Sequence, residues 1–123
     1  MQRKTSFIEP ALPILKPRPP KGDGWLCEIK FDGYRVQLHL RDGQATILSK
    51  NGADFTNRFP RIAAAAAELP VKSCIMDGEV VACRPDGAPD FRALHGGNFA
   101  QTDLCVWAFD LLAWTAATSG TCR

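Results

Sequence analysis

Apolar residues first fall into a regular pattern at Trp25. Trp25, Cys27, Ile29 and Phe31 stand between Leu26, Glu28, Lys30 and Asp32, the period of a strand. The same period predicts a second strand over residues 34–40 and a third over 45–49. A hairpin turn at Arg41-Asp42-Gly43-Gln44 joins them, and Asn51-Gly52 predicts another turn. Over residues 60–69 the period becomes helical. Pro60 opens the stretch, alanines fill positions 63–67, Thr56 or Asn57 is available as a cap and Pro70 as a stop. Residues 73–84 read as a long strand region split by Gly78, and Pro85-Asp86-Gly87-Ala88-Pro89 as a turn. A short helix over 90–95, capped by Asp90, should end at Gly96-Gly97, and residues 104–112 form a last apolar strand. The pattern is α+β, with mixed, mostly antiparallel sheets and short peripheral helices. No βαβ alternation is present, which argues against a doubly wound sheet.

The two ends differ from this middle. Residues 1–22 read as an extended lead-in, because Pro13, Pro17, Pro19 and Pro20 neither donate to a ladder nor continue a helix. Residues 113–123 are rich in Thr, Ala and Ser without periodicity and read as a divergent, disordered tail. The folded part is therefore expected within 23–112.

Composition narrows the functional classes. A chain of 123 residues suits one domain, and 46% hydrophobic with 23% charged residues is the balance of a soluble globular protein. No apolar run approaches the ~20 residues of a membrane helix. The basic start is interrupted by Pro10, Pro13 and Pro17 rather than followed by an apolar signal segment, so a cytoplasmic location is expected. The cysteines contain no CxxC pair, which argues against a zinc ribbon or a thioredoxin-type site. Cys27, Cys74, Cys83 and Cys105 lie in apolar runs and are expected as buried, reduced thiols. His39 and His95 are far apart and make no metal motif. The net charge of +2 says little about a polyanionic partner. Lys16, Arg18 and Lys21 do concentrate charge among the prolines, as a solvated linker or a phosphate-contacting arm.

The candidate chemistry lies in four short segments. On a strand, Glu28, Lys30 and Asp32 share one face. They form either a salt-bridge ladder or a lysine held for nucleophilic attack. The second reading needs a cation or metal to lower the lysine pKa, since carboxylates alone raise it. Asp77-Gly78-Glu79 interrupts the apolar run of Cys74-Ile75-Met76 and Val80-Val81-Ala82. Two carboxylates there are costly unless paired or metal-bound. They would hold Mg²⁺, accept from a ribose hydroxyl, or pair with Lys30 or Arg35. Trp107 reads as core; Phe109 is either core or a platform for a base. No P-loop and no dinucleotide-binding glycine pattern is present.

Lys30-Phe31-Asp32-Gly33-Tyr34-Arg35 matches the KxDGxR signature, and in this order the segments resemble the nucleotidyltransferase superfamily of ATP-dependent DNA ligases and mRNA capping enzymes. The wider context is most similar to the ligase domain of bacterial ligase-D-type enzymes of non-homologous end joining. It comprises Gly24-Trp25-Leu26-Cys27-Glu28-Ile29-Lys30, Leu48-Ser49-Lys50-Asn51-Gly52, Asp77-Gly78-Glu79-Val80-Val81-Ala82 and Phe109-Asp110-Leu111-Leu112. The resemblance covers about residues 7–112. It implies a partial adenylation domain with Lys30 as the nucleophile that takes AMP from ATP, with Mg²⁺ or Mn²⁺. AMP would then pass to nicked or broken double-stranded DNA, in repair and recombination, alongside end-joining proteins. It further implies that Glu28 and the Ile29 backbone read adenine and that Arg35 contacts ribose or nucleic acid. Glu79 would bind ribose or, with Asp77, metal, and Phe109 would stack on the purine. Lys50 stands where the family usually has arginine, which replaces a bidentate phosphate fork by a point charge.

A later glutamate motif, a two-lysine motif and an OB-fold, which the family carries, are not in this sequence. The expectation is a truncated or frameshifted ligase product, feeble by itself. Losing one electrostatic group of this kind commonly costs ~3–4 kcal/mol of barrier. An RNA ligase or capping-type enzyme would share the Lys30 chemistry; a non-catalytic remnant is the reading from another class.

Overall fold

Alternation decides the first strand. Val36, Leu38 and Leu40 turn one way and Arg35, Gln37 and His39 the other, giving β1 (Tyr34–Arg41). In the computed structural model, which describes residues 7–27, 32–100 and 103–116, β1 is followed by β2 (Gln44–Ser49), a single 3-10 turn (Thr56–Arg58) and α1 (Pro60–Ala67). Next come β3 (Val71–Ala82), α2 (Phe91–His95) and β4 (Leu104–Ala116). The four strands make one sheet in the order β2-β1-β3-β4, and every neighbouring pair is antiparallel. Asp42 (φ 48°) and Gly43 (φ 77°) both adopt positive φ, the geometry of the tight hairpin that Asp-Gly favours.

The core lies on one face of this sheet. Val36, Leu38, Leu40, Ile47, Cys74, Val80 and Ala82 meet Phe59, Ile62 and Ala66 there. Pro60 occupies the first turn of α1, where a missing N–H costs nothing. Neither Thr56 nor Asn57 caps the helix. Phe59 is the N-cap and makes no side-chain bond. Thr56 is engaged elsewhere: its Oγ1 accepts from the Ile47 N–H (3.0 Å) and donates to Asp54 Oδ1 (2.6 Å). Asp90 does cap α2 as expected, accepting from the Ala93 N–H at 3.0 Å.

Three expectations for the strands change. Trp25, Leu26 and Cys27 are in no strand, and Trp25 and Leu26 are exposed. Glu28, Ile29, Lys30 and Phe31 lie outside the described residues. Gly78 does not split β3. The pairing of β3 with β4 shifts register at three places, one of them between Asp77 and Gly78, where β4 carries an extra residue. β4 itself runs on to Ala116, past the expected end at 112, with Thr115 opposite Ser73.

The second face of β1 is covered as well. Gln37 and His39 are both buried, because the lead-in crosses them. The Ile8 N–H donates to Gln37 Oε1 (2.9 Å), and Gln37 Nε2 donates to the Ile8 carbonyl (2.7 Å). Gln37 Oε1 is thereby fixed as an acceptor, so His39 Nε2, 2.7 Å away, must carry the proton and donate to it. Burial pulls the His39 pKa below 6.5. The unfolded chain then binds its proton first on acidification. The contribution of neutral His39 is complete above pH 6.5 and is lost as pH falls below that toward the native value. Urea midpoints taken above and below this range should fall more on acidification for the wild type than for His39→Gln; equal slopes would refute this account.

Candidate nucleotide site

The sheet gathers the chemistry-bearing residues at one end of its second face. Arg35 stands opposite Glu79, and Gln37 opposite Asp77. Glu79 in turn stands opposite Trp107 on β4. The register Val36↔Ser49 brings the exposed Lys50, in the turn after β2, to this same end, where β1 begins. Ser49 Oγ accepts from the Ala53 N–H (3.1 Å) and more weakly from Asn51 (3.3 Å), which fixes that turn. Among the site residues expected from sequence, Arg35, Lys50, Asp77, Glu79 and Phe109 are described. Glu28, Ile29 and Lys30 lie outside the described residues.

The nearest described neighbour, Gly33, is informative. A Cβ at Gly33 would collide with the Val80 carbonyl oxygen and sit 2.9 Å from Val81 Cγ1. The glycine of the KxDG segment is therefore a close-approach residue, not a turn residue. It lets the backbone at the start of β1 lie flush against β3 at Val80, one residue from Glu79. Gly33→Ala should cost about 2 kcal/mol by overpacking against backbone that cannot rotate away. Chemical denaturation measures it, and an unchanged midpoint would contradict the contact.

Arg35 and Asp77 hold each other. Arg35 Nε donates to Asp77 Oδ1 (2.7 Å) and Nη2 to Oδ2 (2.6 Å), a bidentate pair. The Asp77 side chain is 7% exposed and that of Arg35 17%. Nη2 also donates to the Ala11 carbonyl at 3.2 Å, joining the lead-in to the site. The bond to Asp77 first, and the charges of Asp77 and Glu79 after it, hold the Arg35 guanidinium above its ordinary pKa. The guanidinium also lies over Phe109, 5.0 Å from the ring centroid.

This geometry divides the expected carboxylate pair. Each Asp77 oxygen accepts from the guanidinium, so here Asp77 is the ion-pair partner of Arg35. Among the described residues no group of three His, Cys, Asp or Glu side chains could hold a metal ion. Phe109 is 54% exposed and Trp107 47%, so both aromatic rings face outward; the expectation of a core Trp107 does not hold. Sequence reasoning also missed Gln37, the Ala11 carbonyl and the Gly33 contact. Only Gln37, polar in the middle of a strand, left a signal.

The arrangement offers a half-exposed ring, a carboxylate beside a fixed guanidinium and an exposed lysine, all near the glycine that follows Lys30. Residues 14–118 match the ATP dependent DNA ligase domain. The chain belongs to the ATP-dependent DNA ligase family. It is 41% identical over 89 residues to the multifunctional non-homologous end joining protein LigD of Pseudomonas aeruginosa, covering 72% of this chain and 10% of that protein. A probable DNA ligase of Mycolicibacterium paratuberculosis is 35% identical over 97 residues, 71% of this chain and 19% of that protein. Its fold matches the ligase domain of M. tuberculosis LigD with a TM-score of 0.61 at 29% identity, over 73% of this chain and 30% of that one. A mycobacterial DNA ligase D complexed with ATP and MES matches with the same TM-score at 30% identity. This ligase-family chain thus spans about a tenth to a fifth of the length of the curated relatives it matches. Among its described residues no helix is long and apolar enough to cross a membrane.

Proposed function

We propose that this chain is the adenylate-accepting part of a DNA ligase. The observation that supports it best is the meeting of Gly33, Arg35, Lys50, Glu79 and Phe109 at one end of one sheet face, in a member of a ligase family. Lys30, having given up a proton, attacks the α-phosphorus of ATP. A P–N bond forms as the P–O bond to the β-phosphate breaks, and pyrophosphate leaves with the electron pair. The AMP passes to a 5′-phosphate at a DNA break, and the 3′-hydroxyl at that break displaces it as the strands join. The relatives' names, a DNA ligase and a non-homologous end joining protein, support a DNA substrate and a role in end joining. We extend this to nicked or broken double-stranded DNA and to repair.

Each side chain has a task in this scheme. Phe109, backed by Arg35, stacks on the purine, while Glu28 and the Ile29 backbone read its edge. Glu79 accepts from a ribose hydroxyl. Lys50 meets phosphate as a point charge. Arg35, fixed by Asp77, places Phe109 and adds positive potential for the triphosphate and the DNA. Mg²⁺ fits through Glu79 and the nucleotide's own phosphates, since it usually takes one or two carboxylates plus phosphates. When bound, the ion offsets phosphate charge.

Calorimetric titration with ATP and Mg²⁺ tests the nucleotide assignment. Phe109→Ala, at an exposed position that leaves the core intact, should weaken binding about tenfold, the lower range of base stacking. Equal affinity for both proteins, or no binding by either, would overturn it.

A further inference from the structure

Cys83 and Cys105 meet outside the nucleotide site. Cys105 lies in β4 opposite Val81, and Cys83 follows the last residue of β3. The Cys83 N–H donates to the Asp103 carbonyl (2.9 Å), which sets the two cysteines on a cross-strand diagonal. Their Sγ atoms are 3.3 Å apart, and both residues are half-buried. We propose that Cys83 and Cys105 form a redox-modification site, a dithiol that a low-molecular-weight disulfide converts to a Cys83/Cys105 cross-link between β3 and β4.

Closing the bond requires the sulfurs to approach to the ~2.05 Å of a disulfide and the side chains to turn to its torsion of ~90°. Cys83 lies just past the end of β3, held by its bond to Asp103 and an isolated bridge to Pro89, so the approach falls to rotation of the two side chains. The order of steps follows from the thiols. Burial, and then the neighbouring Cys83, push the Cys105 thiol up to about 11, which makes it the poorer nucleophile at neutral pH. Cys83 therefore attacks first. Its thiolate takes one sulfur of oxidised glutathione, the glutathione S–S bond breaks, and one glutathione leaves as a thiolate that picks up a proton. The Cys105 thiolate then attacks Cys83 Sγ and expels the second glutathione. Two protein thiols are oxidised by two electrons, and one glutathione disulfide is reduced to two thiols. Cys105 also lines the apolar cavity of about 460 Å³ between α1 and the β3/β4 side of the sheet. The cross-link would pin that wall at the start of the strand carrying Phe109.

The test uses the full chain with Cys27→Ser and Cys122→Ser, reduced, exposed to oxidised glutathione, then alkylated and mapped without reduction. The expected result is loss of two free thiols, a peptide pair joined through Cys83 and Cys105, and no retained glutathione. Adding Cys105→Ser should instead leave one glutathione on Cys83. The proposal is overturned if the folded chain keeps both thiols alkylatable while the urea-unfolded chain oxidises. It is equally overturned if glutathione stays on Cys83 with Cys105 intact.

Discussion

Asp77→Ala should lower stability by about 3 kcal/mol, among the largest effects of any single substitution in this chain. The magnitude comes from what is left behind. Asp77 takes two charge-assisted bonds from Arg35, and its removal leaves a guanidinium whose side chain is only 17% exposed, held by the weaker bond to the Ala11 carbonyl and by the Phe109 ring. Arg35 stays protonated across the accessible pH range, so it cannot escape the cost by neutralising. Removing both partners at once distinguishes this from a packing defect. Arg35→Met combined with Asp77→Leu should recover most of the loss, because a buried ion pair gains little over apolar groups of similar volume. Additive losses in the cycle, measured by urea denaturation, would show that the pair is not the source.

That ion pair also shows what could be read from the sequence. Parity placed Asp77 and Glu79 on one face, and pairing with Arg35 was one of the readings it left open; the register Arg35↔Glu79 and Gln37↔Asp77 selects it. The hairpin at Asp42-Gly43 and the Asp90 cap were legible because each is local: the residues that specify the geometry are the ones that adopt it. What failed was non-local. Trp25 and Leu26 carry a strand-like pattern, yet a strand needs a partner, and the four-stranded sheet does not include them. Burial of Gln37 and His39 depends on Ile8, 29 residues before Gln37, and no period in β1 reports it. The bulge opposite Asp77 and Gly78 is similar: glycine marked the place, but which strand absorbs the irregularity depends on β4. There a Cβ at Gly78 would lie 2.6 Å from the Trp107 carbonyl oxygen.

For the site, residue identity carried more than pattern. Glycine at 33 is required by the Val80 carbonyl, which leaves no room for a side chain there. The role of Lys30 thus rests on its place in the motif and on the geometry of the residues that follow it. Its loss is the second large effect expected. Lys30→Ala removes the nitrogen that forms the P–N bond, and Lys50, the exposed lysine at this end, meets phosphate only as a point charge in the proposed scheme, so covalent capture of AMP should disappear while ATP binding persists. Lys30→Arg should fail equally, because a guanidinium does not give up its proton.

One measurement bears on this most directly. The chain is incubated with α-labelled ATP and Mg²⁺, denatured, and separated by electrophoresis, and the labelled peptide is identified by mass spectrometry. The wild type should retain a weak, acid-labile label on Lys30, and Lys30→Ala should retain none. Label on another residue, or label surviving in Lys30→Ala, would contradict the account.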